Sequence, residues 1–440
     1  MKRESSLSKY GVRVRIGLLA SLAICFPTQI QAQAAAAGNN AVYNSTPALV
    51  SSASYVDASV MPGSDICAQI YNALSASTIS AAGAIIDARG INSGNSSSNL
   101  TCTSGTPWVQ GSNSTTFPAT VLLPSGTITI SATWILPNKT RIVGEGQSKT
   151  IIQAVRLTDA PMIEMGSSSG GVCPTGGCTG VEVADLALSG QNLAGLSGIS
   201  NTQSQDMSTV RNVVMSNISG TGLSVSGSGA QNSGPYSDIL FANASPVLAT
   251  VCADFNGVST HGILGLSCSA TGGTKPTVAV LLDGSNNSLE DVVVQGFGDG
   301  VLIGSNAVAQ SDTLLNIAGG SGVTNVIHIS TNNVANNLSI LGVASQGASN
   351  SIADDLTGNT LSDKSVAMYV LGAAVKAGST TVGYTRFTTS PSVPTWAVEN
   401  TTITNPSGSC ISGSILSNLE GVSGNTLWVC TSNGTWTNAL

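Results

Sequence analysis

Val183-Ala184-Asp185-Leu186, Val210-Arg211-Asn212-Val213, Tyr236-Ser237-Asp238-Ile239 and Leu289-Glu290-Asp291-Val292 repeat one pattern: apolar, any residue, Asp or Asn, apolar. Leu314-Leu315-Asn316-Ile317 is a weaker copy. The steps between the Asp/Asn positions are 27, 26, 53 and 25, and 53 is two steps of about 26. A unit of that length, built of short Val, Ile, Leu and Thr runs broken by Gly, Ser and Asn, cannot bury its own apolar side. Stacked units can. The pattern predicts an all-β parallel solenoid of three short strands and three turns per coil. Leucine-rich repeats share the period but need a leucine-asparagine consensus and a helical segment in each repeat, and neither is present. From residue 80 to 400 the period gives about 12 coils, a rod near 60 Å long at about 4.8 Å per coil.

Working outward, the same strand-and-turn texture starts earlier, in Ala84-Ile85-Ile86-Asp87, Thr120-Val121-Leu122-Leu123, Thr127-Ile128-Thr129-Ile130, Arg141-Ile142-Val143 and Thr150-Ile151-Ile152. Ahead of it Ile66, Ile70 and Leu74 recur at helical spacing, and Ser64 can cap a helix opened by Asp65. That short helix would cover the open first coil and hide its strand edges. Residues 35–63, Ala/Ser/Asn-rich and without period, read as a flexible lead-in, and 64–400 as the solenoid. Residues 401–440 carry Cys410, Cys430, Trp428 and Trp436 in a plan that reads as a small β module clipped by one disulfide. Its two tryptophans serve better as module core than as sugar-stacking platforms.

Composition agrees. The 440 residues are 41% apolar, 8% charged and 4% aromatic with 50 glycines, which excludes a disordered polymer and a coiled coil. Residues 1–34 read as a secretory signal peptide, with Lys2, Arg3, Lys9, Arg13 and Arg15 before the apolar run Ile16 to Phe26 and a small-x-small site at Ala32-Gln33-Ala34. The run is too short for a membrane span. Bulky Ile24 before Cys25 argues against lipid anchoring. Without that leader, the 15 basic and 22 acidic residues fall to 10 and 21, a formal charge of −11, so nucleic acid and anionic lipid are poor partners. Eight cysteines remain, in sequence-near couples: Cys67/Cys102, Cys173/Cys178, Cys252/Cys268 and Cys410/Cys430. An exported, oxidised protein would join such couples, although eight cysteines allow 105 pairings. Zinc at Cys173-Pro-Thr-Gly-Gly-Cys178 lacks a second ligand pair.

Asp65-Ile-Cys-Ala-Gln-Ile, Ile86-Asp-Ala-Arg-Gly90, Leu122-Leu-Pro-Ser-Gly-Thr-Ile128 and Arg141-Ile-Val-Gly-Glu-Gly146 with Thr150-Ile-Ile-Gln153 resemble the amino-terminal part of secreted pectate-lyase-superfamily proteins, many related to polygalacturonases. The resemblance covers residues 64 to about 345 and implies a right-handed parallel β-helix acting on extracellular polysaccharide, by lyase or hydrolase chemistry. The chain departs from that family's chemistry. The Asn-Thr-Asp, Asp-Asp, Gly-His-Gly and Arg-Ile-Lys set of polygalacturonases does not stand here in order; Asp354-Asp355 is the only Asp pair, and Thr260 precedes His261-Gly262.

Chemistry-bearing residues are sparse. Gly144-Glu-Gly146-Gln-Ser-Lys149-Thr150 fails as a phosphate loop, because Ser148 and Val143 occupy the two glycine places. Gly166-Ser-Ser168-Ser-Gly170 has nucleophile-elbow spacing but no helix after it. His261 and His328 have no metal-ligand spacing around them. The Asp/Asn column should stack at about 5 Å steps, and its carboxylates invite calcium, so calcium is the one cofactor to consider. A column that recurs along the rod is better explained as turn-bonding Asp/Asn at strand starts, since a catalytic site is local.

Asp283, Glu290, Asp291 and Asp299 form the densest acidic stretch, and on a 26-residue coil offsets of eight put Asp283, Asp291 and Asp299 on successive sides. Asp299 and Asp291 stand as candidate acids and Arg211 as candidate base. The two functions left are a polysaccharide-cleaving β-helix and a non-catalytic glycan-binding or structural one. An acidic glycan should bind this acidic chain only through calcium. Exported protein should begin near Ala35, and amino-terminal sequencing that finds Met1 would contradict the leader.

Overall fold

The computed structural model describes residues 54–76, 83–91, 100–103, 105–168, 172–306, 309–330, 338–354, 369–373, 396–399, 415–418, 427–432 and 435–438. The leader expected over 1–34 lies outside them. The chain is a parallel β-solenoid, and one α-helix stands among the described residues. Each middle coil contributes one long strand to a 14-stranded sheet and one shorter strand to a nine-stranded sheet. Register partners Ala184, Arg211, Ser237, Leu264, Glu290, Leu315 and Leu341 stand 25 to 27 residues apart, the period read from the sequence.

The Asp/Asn column sits in mid-strand rather than at the strand starts expected for it. Glu182–Ser189, Thr209–Ser216, Tyr236–Asn243 and Ser288–Gln295 are eight-residue strands, and their third or fourth residues, Asp185, Asn212, Asp238 and Asp291, have φ of 53–57°. Asn316 continues the column at φ 55°, and Gly265 and Gly342 occupy its remaining rungs at 74° and 72°. Left-handed backbone is accessible to Gly, Asn and Asp and costly for branched residues, which explains the composition of the column. In a regular strand, residues three apart point to opposite faces. Here Val183 and Leu186 are both buried, because the left-handed residue between them resets the pleat and turns the strand a corner. One strand therefore supplies two of the three predicted sides.

Beyond the corner Leu186, Val213, Ile239, Leu266, Val292, Ile317 and Val343 form one register-matched aliphatic stack, none more than 3% exposed. Each such side chain contributes about 1.5–3 kcal/mol by leaving water. Outside the corner the column is a polar ladder: Asn212 Nδ2 donates to Asp185 Oδ1 at 2.6 Å and Asn316 Nδ2 to Asp291 Oδ1 at 3.0 Å.

The helix α1, Ile66–Leu74, buries Ile66, Cys67, Ile70, Ala73 and Leu74. Its cap is Asp65 rather than Ser64: Asp65 Oδ1 accepts from Ala68 N, and Oδ2 from Thr103 N and Oγ1, so one carboxylate fixes two segments. The sheet begins before the expected start at Ser64. Ser54–Asp57, inside the stretch read as lead-in, pairs in parallel with Ala84–Asp87 and is the first rung.

Disulfides join Cys67 to Cys102, Cys173 to Cys178 and Cys252 to Cys268, three of the four couples expected, and these fit an extracytoplasmic protein. Cys430 is also disulfide-bonded, and its expected partner Cys410 lies outside the described residues. Near the carboxyl end Trp396–Glu399, Ile415–Asn418, Leu427–Ser432 and Thr435–Asn438 form a four-stranded sheet that starts ahead of the boundary expected at 401. Trp428 is buried there and Trp436 half-buried. Among the described residues no helix is long and apolar enough to cross a membrane.

The corner account makes an asymmetric prediction. Asn212→Val should cost about 2 kcal/mol in denaturant unfolding, from left-handed strain and the lost bond to Asp185, whereas Gly265→Asn should change stability by less than about 1 kcal/mol. Equal costs at both positions would contradict the account.

Candidate functional site

The third side of the solenoid is the nine-stranded sheet, in which Pro161–Met165, Ser197–Asn201, Thr221–Ser226, Val251–Asn256 and Asn325–Ile329 bury their second, third and fifth residues and leave the first and fourth partly exposed. Four consecutive outward positions are polar and in register: Glu164 pairs with Ser200, Ser200 with Ser224, and Ser224 with Asp254. Ile135 precedes the series and Leu281 and Leu302 follow it. At about 4.8 Å per rung the two carboxyls stand about 14 Å apart, with two serines as the floor between them.

Burial raises the pKa of Glu164. Burial, and then the charge of Asp283, push Asp254 up to about 6. An outward carboxyl on a bare sheet would be wet, whereas Asp254 Oδ1 is buried and Glu164, Ser200 and Ser224 are half-buried, so neighbouring segments partly cover this column and it lies in a shallow trough. The series differs from the other polar columns in its bonding. Among the described residues, the side chains of Glu164, Ser200, Ser224 and Asp254 make no hydrogen bond, and Asp254 Oδ1 is buried without a donor. Buried polar atoms are normally paired, so an orphaned carboxyl oxygen on a groove floor requires an explanation, and a functional one is available.

The surroundings hold Asp254 in place. Cys252, two residues earlier on the same strand, is tied across the core to Cys268 of the other sheet. Asp283, one rung further on and fully buried, accepts from Ser305 N at 2.6 Å, Ser305 Oγ at 2.9 Å and Asn306 Nδ2 at 2.9 Å. Those three bonds fix its charge near Asp254 without exposing it. On the Ser200 strand, buried Asn201 accepts from Ser204 N at 2.8 Å and donates to Tyr236 Oη at 2.9 Å, pinning the segment that leaves that strand.

The residues singled out from the sequence fall in three places. Asp299 lies on the same sheet as Asp254, at a strand start; Asn325 Nδ2 donates to its Oδ1 at 2.8 Å and His328 Nδ1 stands 2.6 Å from its Oδ2. Arg211 lies on the 14-stranded sheet, where Nε bonds Glu182 at 2.6 Å and Nη1 bonds Asp185 at 3.1 Å; Arg141 holds the other Glu182 oxygen. Asp291 is a corner residue bonded by Asn316. The structure therefore brings Asp299 to His328 and keeps Arg211 and Asp291 apart from both. For calcium, no group of three or more His, Cys, Asp or Glu side chains among the described residues is placed to hold a metal ion.

Sequence reasoning missed His328, Glu164 and Asp254. The signal for His328 was its position one coil and three residues after Asp299. Glu164, Ser200, Ser224 and Asp254 lie 36, 24 and 30 residues apart, because the loops between their strands differ in length, so no period exposes them.

No family model and no curated protein matches the chain. Among solved structures it is similar to the mannuronan C-5 epimerase AlgE4 A-module of Azotobacter vinelandii, at 14% identity and a TM-score of 0.25 over 58% of this chain and 91% of that one. It is also similar to ORF18 of Geobacillus virus E2, at 13% identity and a TM-score of 0.39 over 87% and 76%. Tailspike protein 3 of bacteriophage CBA120 matches at 13% identity and a TM-score of 0.25 over 73% and 64%. Likenesses this distant carry no argument about chemistry, and the solenoid rests on its own strand register.

A third acid is raised, and this one lies in the core. Asp312 is fully buried, its Oδ1 accepts from Asn287 N at 2.8 Å, and its Oδ2 has no partner. Burial pushes it up to about 7 despite the Asn287 bonds. A carboxyl raised on folding contributes stability that is full below its unfolded value and is lost as pH rises through the folded one. Stability should therefore fall between about pH 4 and 7 and level off above that, and Asp312→Asn should recover on the order of 4 kcal/mol at pH 8 and little at pH 4. Equal effects at both pH values in denaturant unfolding would contradict this.

Proposed function

We propose that the chain acts on an extracellular polysaccharide lying in the Glu164–Asp254 trough, with Asp254 as the general acid. The observation that carries this reading is the Asp254 carboxyl: buried at one oxygen, without a hydrogen-bond donor, and held protonated to about pH 6. Cleavage of a glycosidic bond by hydrolysis or by elimination requires a proton for the departing oxygen, and an acid with a pKa near the working pH supplies it best. Asp283 acts through Asp254: its charge adds to the burial that holds the proton on, which makes it a positioning residue.

One observation favours a non-catalytic glycan-binding role instead. Glu164 and Asp254 are about 14 Å apart, beyond the roughly 5–9.5 Å that paired carboxylates span in glycosidases, so the trough itself does not supply a second catalytic carboxylate.

Screening purified protein against a polysaccharide panel, then comparing variants on any cleaved polymer, tests the assignment. Asp254→Asn should lower kcat at least 100-fold with little change in KM, and wild-type activity should decline as pH rises through about 6. Retention of the wild-type rate by Asp254→Asn would overturn the acid role. A loss confined to Asp299→Asn would move the centre to the Asp299–His328 pair, and loss in Arg211→Ala alone would restore Arg211 as the base. Glycan binding without cleavage of any polymer would establish the non-catalytic role.

A further inference from the structure

The trough carries more information than the position of one acid, and four of its features bear on what it accepts. Its polar floor is four rungs long and closed at both ends by apolar residues, Ile135 on one side and Leu281 on the other. The two middle rungs are serines, half-buried, whose hydroxyls have no hydrogen-bond partner among the described residues. Some of the solenoid's other hydroxyls are used internally, among them Ser216 Oγ, which donates to Leu188 O, Ser233 Oγ to Ala230 O and Thr250 Oγ1 to Ser219 O. A hydroxyl both donates and accepts, and so does every sugar hydroxyl.

The rung spacing is a third feature. Parallel strands advance by about 4.8 Å, close to the length of one pyranose ring in an extended glycan, so successive rings can meet successive rungs without loss of phase. The fourth is charge. The strands Pro161–Met165, Ser197–Asn201, Thr221–Ser226 and Val251–Asn256 contain no lysine or arginine, and the charged side chains they do carry are the carboxyls Glu164 and Asp254. A sugar carboxylate or sulfate set down here would be desolvated beside acids with no counter-charge on the floor, an arrangement that costs several kcal/mol per ion.

Building on the functional reading above, we infer that the trough binds a neutral polysaccharide laid parallel to the solenoid axis, about four rings long. Ser200 and Ser224 bond hydroxyls of the two middle rings, and Glu164 bonds the ring at the far end from Asp254. The negative charge of the chain as a whole then needs no calcium bridge, because the ligand brings no charge to neutralise.

The test measures binding, so that turnover does not enter. Asp254→Asn protein is titrated with neutral gluco-, manno-, galacto- and xylo-oligosaccharides of two to six rings and, in parallel, with uronate oligomers of the same lengths. A neutral series should bind with a Kd that falls with length up to about four rings and is then flat. Ser224→Trp and, separately, Ser200→Trp place a bulky ring on an outward position, and each should weaken binding at least tenfold with the far-UV spectrum and Tm kept. Glu164→Gln should weaken only ligands of four rings or more, by about threefold to tenfold. Tighter binding of uronates, an affinity that still rises between five and six rings, or wild-type affinity in both tryptophan variants would overturn the inference while leaving the Asp254 chemistry standing. Failure of every oligomer of either charge to bind would overturn both.

Discussion

The left-handed corner is the constraint on which the rest of this fold depends. A strand that ran straight through Asp185 would bury Val183 and expose Leu186, and the aliphatic stack on one side of the solenoid would face water. One residue with φ near +55° resets the pleat, and because every coil needs it at the same place, the requirement appears as a column. Only Gly, Asn and Asp meet it at low cost. The side-chain bonds along the column, Asn212 to Asp185 and Asn316 to Asp291, are a second benefit of residues already selected for backbone conformation.

The corner also determines the third sheet indirectly. Once two sides of the coil are set, the returning strand must present its second, third and fifth residues to the core, which fixes its outward residues at the first and fourth positions. Glu164, Ser200, Ser224 and Asp254 are aligned for that reason, despite coils of unequal length. The site is thus a by-product of packing to which specific supports have been added: the Cys252–Cys268 bridge behind Asp254, the three-bond clamp on Asp283, and Asn201 beneath the segment after Ser200. Rigid strands hold reacting groups more accurately than free loops do, and acid strength here is set by desolvation rather than by a flexible partner.

Legibility followed the same division. The solenoid was readable because the left-handed requirement selects particular residue types at a nearly constant spacing, and the cysteine couples were readable because each joins parts near in sequence: the helix to the segment at Cys102, the two ends of the Cys173–Cys178 turn, and the consecutive strands carrying Cys252 and Cys268. The helix was found but its cap was misplaced by one residue, since the choice between Ser64 and Asp65 depends on Thr103, which is distant in sequence. Among site residues Asp299 was visible within the acidic stretch, but its partner His328 was not, and Asp254 carried no local mark at all. Its significance lies in an absent hydrogen bond and in burial, both properties of neighbouring coils. Arg211, prominent beside the column, proved to be engaged with Glu182 and Asp185.

The central claim is that a desolvated, donor-free carboxyl sits at the end of the trough, and a carbon-13 NMR titration of the Asp254 side chain tests it most directly. The account predicts a midpoint near pH 6 that moves down in Asp283→Asn, because burial and the Asp283 charge both hold the proton on. A midpoint in the ordinary aspartate range, unchanged by that substitution, would contradict it.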